Sequence, residues 1–467
     1  MARDPGPWLH DRVLWVVVGV TTAVRLFLAW RFFGFLGGDD VEILEEAFRC
    51  GVGLDYLPWN VRNLFLPEVL VAPFVQLGSA LGLHATFPLV LCATVPFVVL
   101  ASVNVVLVYL LARRWLNDRA AARAAMAIYA FHWLPLAFGS TTYPRTVSTT
   151  FVLAAALVVS GGARGFARGA AGGSLLALAF AVRYSEGMYL LPLVLLSVLG
   201  GGDRRGSRQR VLGVLTGFAA GVALTSGLVD ALTWGRPLAS LQALGRIMLL
   251  GQGASGLSTQ PPLLYVQRIL FWLPLPLAPA LVLAARARRV RAAWLFLAVP
   301  LVVLSLIQHK ELRYLQGAIP FLAILGAAGF TVMQKRWRPW LASTLLVLTM
   351  ATEVLGVRVL RGKTMAAVTA ARSMASEAGV RVVALSQEWA YGHRLYFGNG
   401  VEVRDLPVPP RESDLERLIP GADRVALYRK DLEEDPSLGA LLARHGFIPS
   451  GVFRWGKSKA VVVFARK

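Results

Sequence analysis

Residues 13–42 read VLWVVVGVTTAVRLFLAWRFFGFLGGDDVE. The run from Val13 to Phe33 matches the ~20 apolar residues that a helix needs to cross a bilayer. It gives way to Gly37, Gly38 and two adjacent carboxylates, Asp39 and Asp40, with Glu42 just beyond. Charges at the edge of a membrane span are costly unless solvated, paired or used, so this acidic pair marks a candidate site. The same residues also fit a helix start. Asp39 or Asp40 would cap it, and Glu42 and Glu46 in the first turns would complement the helix dipole. The two readings are compatible, because a carboxylate fixed at a helix start is well placed for proton transfer.

The rest of the chain repeats the apolar pattern. Of 467 residues, 56% are hydrophobic and 16% charged, and the mean hydropathy is +0.58. So many spanning-length runs predict a polytopic α-helical membrane protein. The net charge of +21 would suit nucleic acid in a soluble chain. The basic residues instead cluster in short loops between apolar runs, as the positive-inside rule requires, so no nucleic-acid partner is expected. Of the 48 basic residues only seven are lysine, a usage that points to a bacterial chain. Cys50 and Cys92 form neither a metal-ligand spacing nor a disulfide framework. No small-residue cleavage site follows the first apolar run, so Val13–Phe33 is expected to be a retained span rather than a signal peptide.

Taken in order, the chain predicts a topology. Residues 34–86 are acidic and belong outside. Within them Leu64–Leu81, interrupted by Pro67 and Pro73, reads as an interfacial or re-entrant helix. Phe87–Ala112 returns to Arg113, Arg114, Arg119 and Arg123. Ala120–Phe138 and Thr146–Ser160 form the next pair, ending at Arg164 and Arg168. Ala170–Leu199 is too long for one span and is interrupted at Arg183–Gly187, which fits two short helices about a polar turn. Val211–Val229 follows Arg204–Arg210, and an outer loop runs from Asp230 to Pro262. Leu263–Ala285, Ala292–Ile307, Leu315–Val332 and Pro339–Val357 complete about eleven crossings. Every dense arginine loop then falls on one side, with the N-terminus inside. Trp272 and Trp340 read as interfacial belt residues.

Residues 1–360 are therefore expected to form the membrane domain, and residues 363–467 a small α/β domain on the outer face. Thr364–Ala378 reads as an amphipathic helix, and Val380–Leu385, Val401–Arg404, Arg424–Tyr428 and Ala460–Phe464 as strands. Helices are expected near Ser413–Leu418 and Ser437–His445. A glycine-rich phosphate loop is absent, so a nucleotide site is not expected there.

This topology puts four polar clusters at the outer edge: Asp39 and Asp40; Tyr143, Pro144 and Arg145; Arg183–Glu186; and His309–Arg313. Such a set suits a polar substrate with an anionic part. Arg and Lys hold phosphate, and a carboxylate takes a proton from an attacking hydroxyl. On a helical turn His309, Lys310 and Arg313 would all face one site. Lys310 and Arg313 also fit cations snorkelling at a helix end.

The motifs carry a family resemblance. GGDDVEILEEAF at 37–48 and LPWNVRNLFLP at 57–67 resemble the opening of the family 22 mannosyltransferases of the GT-C class, which build lipid-linked oligosaccharides and GPI anchors. TYPRTVS at 142–148 resembles that family's Arg-Thr-Phe-Ser-Asn, and HKELRY at 309–314 its His-Lys-Glu-x-Arg-Phe. The resemblance covers residues 12–330 and implies a polyprenyl-phosphate sugar donor carrying mannose, a lipid-linked glycan, polysaccharide or protein acceptor, and inverting, metal-independent transfer without a cofactor. Asp39 stands at the family's catalytic Asp, Asp40 at its Glu, and Glu46 at a later Glu. Gly37 and Gly38 replace its His and Pro. Arg62, Arg145, Arg183, His309, Lys310 and Arg313 complete the expected substrate-binding set.

The sequence thus predicts a glycosyltransferase of the bacterial inner membrane, with the active site and the tail periplasmic. The competing class is a transporter or flippase of a lipid-linked glycan. An inverted internal repeat would favour it, and none is found.

Overall fold

The computed structural model describes residues 8–59, 61–161, 165–199, 204–250, 260–336, 339–359, 364–392, 394–455 and 460–467. Asn60, Arg164, Arg338, the 251–259 part of the expected outer loop and the expected domain start at 363 lie outside them. Two compact units emerge. One comprises residues 1–28, 59–69 and 96–357; the other comprises 29–58, 70–95 and 358–467.

Among the described residues, five helices are long and apolar enough to cross a membrane: Arg12–Arg31, Thr86–Leu116, Gly165–Val182, Arg205–Trp234 and Leu312–Val332. Shorter apolar helices include Pro144–Val159, Tyr184–Leu199 and Arg291–Leu306, and Pro339–Val359 is also helical. The polar interruption at Arg183 is where one helix ends and a 3-10 turn, Tyr184–Tyr189, begins before Leu190–Leu199. The helices Gly165–Val182 and Arg204–Val222 pack backbone to backbone. A Cβ at Gly173 would collide with the Val214 carbonyl, and one at Gly217 with the Ala170 carbonyl. Small residues at four-residue spacing permit such an approach.

Three expectations are corrected. Leu263–Ala285 is not one helix. Pro274, Pro276 and Pro279 reduce it to Leu264–Gln267, two 3-10 turns and Ala278–Ala284, because each proline removes a donor and clashes with the preceding turn. Trp272 is not an interfacial belt residue. It is buried and its indole donates to the Tyr265 carbonyl at 2.8 Å. Trp133 similarly donates to the Phe271 carbonyl at 2.6 Å, so side chains satisfy backbone groups that the broken helix frees. The loop expected from Asp230 to Pro262 contains a helix, Ala239–Leu250.

Just before the first span, Asp11 is buried and binds Tyr109 Oη at 2.7 Å, Arg119 Nε at 2.9 Å and Arg123 Nη2 at 2.8 Å. The C-terminal part of the second unit carries a five-stranded sheet: β1 (Val382–Ser386), β2 (Glu402–Leu406), β3 (Arg424–Tyr428), β4 (Phe447–Phe453) and β5 (Val461–Arg466). Its order is β2-β1-β3-β5-β4. β1 runs parallel to β2 and β3, while β5 is antiparallel to β3 and β4. Side chains alternate between faces. Val383 and Leu385 meet Ala367, Ala371 and Met374 of the Met365–Ala375 helix. Ala384 and Val425 meet Leu415, Leu438 and Leu442 on the other face.

Burial pushes the Asp11 carboxyl up, but hydrogen bonds from Arg123, Arg119 and Tyr109 outweigh it and hold it well below the usual carboxylate range. A depressed folded value means stability that is present above the unfolded value near 3.8 and lost as pH falls through the folded value. Asp11→Asn is therefore expected to lower the thermal midpoint of the solubilised protein at neutral pH. The gap from wild type should close only below that unfolded value. A pH series of melting curves checks both.

Candidate functional site

The acidic pair begins an amphipathic helix, Gly38–Val52. Gly37 is extended, with φ −157° and ψ 172°. The Asp40 carboxylate turns back on the chain before it, accepting from Leu36 N at 2.8 Å and Gly37 N at 3.2 Å. Asp40 is thus the capping carboxylate, satisfying donors that the helix start leaves over. Asp39 lies beside it on the first turn, half-buried, while Asp40, Glu45 and Glu46 are buried. Glu45 Oε1 accepts from the Arg394 backbone at 2.8 Å. At the other end, Gly53 in the left-handed region closes the helix. The Asn399 amide fastens that end, accepting from Asp55 N at 2.6 Å and donating to the Gly53 carbonyl at 2.9 Å.

The other compact unit gathers three of the four predicted polar clusters. Arg145, at the start of the Pro144–Val159 helix, pairs with Glu186 at 2.8 Å. Its other nitrogen donates to Ser185 Oγ at 3.1 Å. Both charged residues are almost wholly buried. Two tyrosine rings interleave with the guanidinium groups. Tyr314 lies under Arg145 at 5.2 Å and Arg183 at 5.0 Å. Tyr143 lies under Arg183 at 5.7 Å and Arg313 at 5.3 Å. Such cation–π contacts gain strength away from water. Glu311 pairs with Arg313 and lies 3.5 Å from His309. The His309 ring meets Tyr314 edge to face at 6.0 Å. Below them, Gln316 Nε2 donates to Thr146 Oγ1 at 3.0 Å.

The HKELR segment is not a helical turn. Residues 307–311 are irregular and the 3-10 helix begins at Leu312. Lys310 consequently does not follow Arg313. It is buried, and its ammonium donates to the Gln260 carbonyl at 3.0 Å. Arg62 belongs to a neighbouring network in which its carbonyl accepts from Trp234 Nε1 at 3.3 Å. Next to it, the buried Asp230 carboxylate accepts from Asn63 at 2.9 Å and from the Ser240 hydroxyl at 2.6 Å. The sequence reading missed Asp230, although a lone acid ending an apolar run was the available signal. Among the described residues, no three His, Cys, Asp or Glu side chains are grouped as a metal site requires.

Breaking a buried ion pair by removing one partner costs about 3–5 kcal/mol, because the other charge is left uncompensated. Glu186→Gln is therefore expected to destabilise strongly, with Arg145→Gln/Glu186→Gln recovering part of the loss. Thermal denaturation in a double-mutant cycle measures that coupling, and additive effects would contradict it.

The Alg9-like mannosyltransferase family matches residues 54–376. That stretch includes Arg62, Arg145, Arg183 and the HKELR segment, and starts after Asp39, Asp40 and Glu46. GPI mannosyltransferase 3 of Yarrowia lipolytica is 26% identical over 351 residues, covering 72% of this chain and 66% of that protein, just under two thirds of its length. This relative is a yeast protein, so the comparison lends no support to a bacterial origin. The structure of ArnT from Cupriavidus metallidurans bound to undecaprenyl phosphate is similar, with a TM-score of 0.58 at 12% identity, covering 96% of this chain and 98% of that one. The archaeal oligosaccharyltransferase AglB from Archaeoglobus fulgidus, in complex with an inhibitory peptide and a dolichol-phosphate, gives 0.55 at 12% identity, covering 97% and 75%. With a family match over most of its length, several apolar helices of spanning length and a fold shared with ArnT and AglB, the chain belongs to the Alg9-like mannosyltransferase family and is a multi-pass membrane protein.

Proposed function

We propose that the enzyme transfers mannose from a polyprenyl-phosphate donor to a hydroxyl of a lipid-linked glycan, polysaccharide or protein acceptor, with Asp39 as general base. The observation that carries this reading is the division of labour between the adjacent carboxylates. Asp40 is committed to the backbone of Leu36 and Gly37, which holds Asp39 on a first turn with a fixed direction. The acceptor oxygen attacks the anomeric carbon as its proton passes to Asp39. The bond from that carbon to the donor phosphate breaks, and polyprenyl phosphate leaves with the electron pair, inverting the centre. Arg313 and His309 hold the donor phosphate, Arg being suited to bidentate contact, and Lys310 joins them only on leaving the Gln260 carbonyl. Arg62, Arg183 and Glu46 complete the binding set. Arg145 also holds the cluster together through Glu186. The polyprenyl-type phosphates named with ArnT and AglB support this donor class.

One-sided arginine loops support an N-terminus in the cytoplasm, with the site and residues 363–467, as a soluble domain, on the outer face. We place the chain in the bacterial inner membrane on its arginine-rich, lysine-poor usage; the yeast relative favours the endoplasmic reticulum instead. An activated lipid donor suits a site facing away from nucleotides and ATP.

The test incubates purified protein with a panel of polyprenyl-phosphate sugars and measures released polyprenyl phosphate. The mannosyl donor is expected to be consumed. Asp39→Asn should cut turnover by about 10²–10⁴-fold, the share of a positioned base, at a stability cost of at most about 1 kcal/mol. Arg313→Gln should raise the donor KM instead. An active Asp39→Asn enzyme would overturn the assignment. Loss of activity with chelator, restored by Mg²⁺ or Mn²⁺, would recast the acidic pair as metal ligands.

A further inference from the structure

β1 ends at Ser386, and the next residue, Gln387, adopts a left-handed conformation with φ 63°. That region is costly for a residue with a Cβ, and such strain persists only where the surroundings over-determine it. Three bonds do so here. Gln387 N donates to the Leu406 carbonyl at 3.0 Å. Tyr428 Oη donates to Gln387 Oε1 at 3.2 Å. Glu388 N donates to Asp405 Oδ1 at 2.9 Å. Thus β2 and β3 both brace the turn that follows, Glu388–Tyr391.

Within that turn Ala390 and Tyr391 are buried, whereas Trp389 is 36% exposed. Its indole lies against the start of the acidic helix: a Cβ placed on Gly38 would sit 3.9 Å from Trp389 Cδ2. The segment is tied to the same helix again through Arg394 N and Glu45. A tryptophan that only fills a core is buried. This one is held by a strained, triply braced turn, with its ring partly open, against the residue that precedes Asp39. Gly38 has no side chain, and even a Cβ there would already touch the ring at van der Waals distance. Both Gly38 and Trp389 lie outside the family-matched residues 54–376.

A pyranose has one face of C–H groups and a rim of hydroxyls. A flat indole offers its apolar face a large rigid surface, and a neighbouring carboxylate accepts from the rim. We propose that Trp389 is the stacking wall of the acceptor site, on which a hexopyranosyl unit of the acceptor lies with a hydroxyl directed at Asp39. The proposal rests on Asp39 as the base and adds that the acceptor is a glycan read by the tail domain.

The test uses full-length protein in lipid nanodiscs, free of glycoside detergent, titrated with mannobiose by saturation-transfer NMR. Wild type is expected to bind saturably. Trp389→Ala should weaken binding by about tenfold or more, the scale of one aromatic contact, and Trp389→Phe should restore most of it. Gly38→Leu, which pushes the indole aside, should weaken binding in the same way and carries the test if Trp389→Ala does not fold. Absence of saturable binding in wild type, or unchanged affinity in both Trp389→Ala and Gly38→Leu, would overturn the proposal. Asp39→Asn should still bind mannobiose, so failure of the base assignment appears in turnover and failure of the stacking wall in binding.

Discussion

The membrane unit depends on the buried contact between Arg145 and Glu186. A charge removed from water is tolerated only when it is paired and hydrogen-bonded. Here the pairing joins two polar motifs that interrupt otherwise apolar sequence. It brings the start of the Pro144–Val159 helix onto the 3-10 turn at Tyr184–Tyr189. Tyr314 then bridges Arg145 and Arg183, which draws in the segment carrying His309 and Arg313. Several positive charges can lie close together because aromatic faces and two carboxylates separate them.

Backbone satisfaction is the companion constraint. Where proline breaks a helix in the apolar region, Trp133 and Trp272 donate to the exposed carbonyls. Where the acidic helix begins, Asp40 does the same work for donors. The chain is therefore irregular mainly where a specific side chain meets the cost, and polar function gathers at such places because polar side chains are already present.

Continuous apolar runs were legible from sequence. Pro144–Val159, Arg291–Leu306 and Pro339–Val359 lie close to their expected bounds, the break at Arg183 was anticipated, and β3 was read at its observed ends. β4 was missed because Pro449, Ser450 and Gly451 erase the alternation that marks a strand, and the strand is irregular there. The Arg429–Glu434 helix is almost wholly charged and shows no apolar periodicity. In the candidate site the residue types were legible and their partners were not. Nothing local to Glu186 says that it meets Arg145, or that Arg394 reaches Glu45 across 349 residues. Lys310 was misdirected for a local reason: the segment it occupies is too irregular to obey helical spacing.

The glycine contacts between Gly165–Val182 and Arg204–Val222 set an alignment gauge. Gly169, Gly173, Gly213 and Gly217 each meet a backbone carbonyl of the other helix. Sliding one helix by a single residue would bring Ala170 or Ser174 into a space that holds no Cβ. The two helices thus have one seating along their length, specified without a polar group. This matters in lipid, where apolar side chains gain little by choosing one another over the surrounding tails. Residues usually associated with looseness act here as a vernier, holding the helix that leads to Glu186 at a set height against its neighbour.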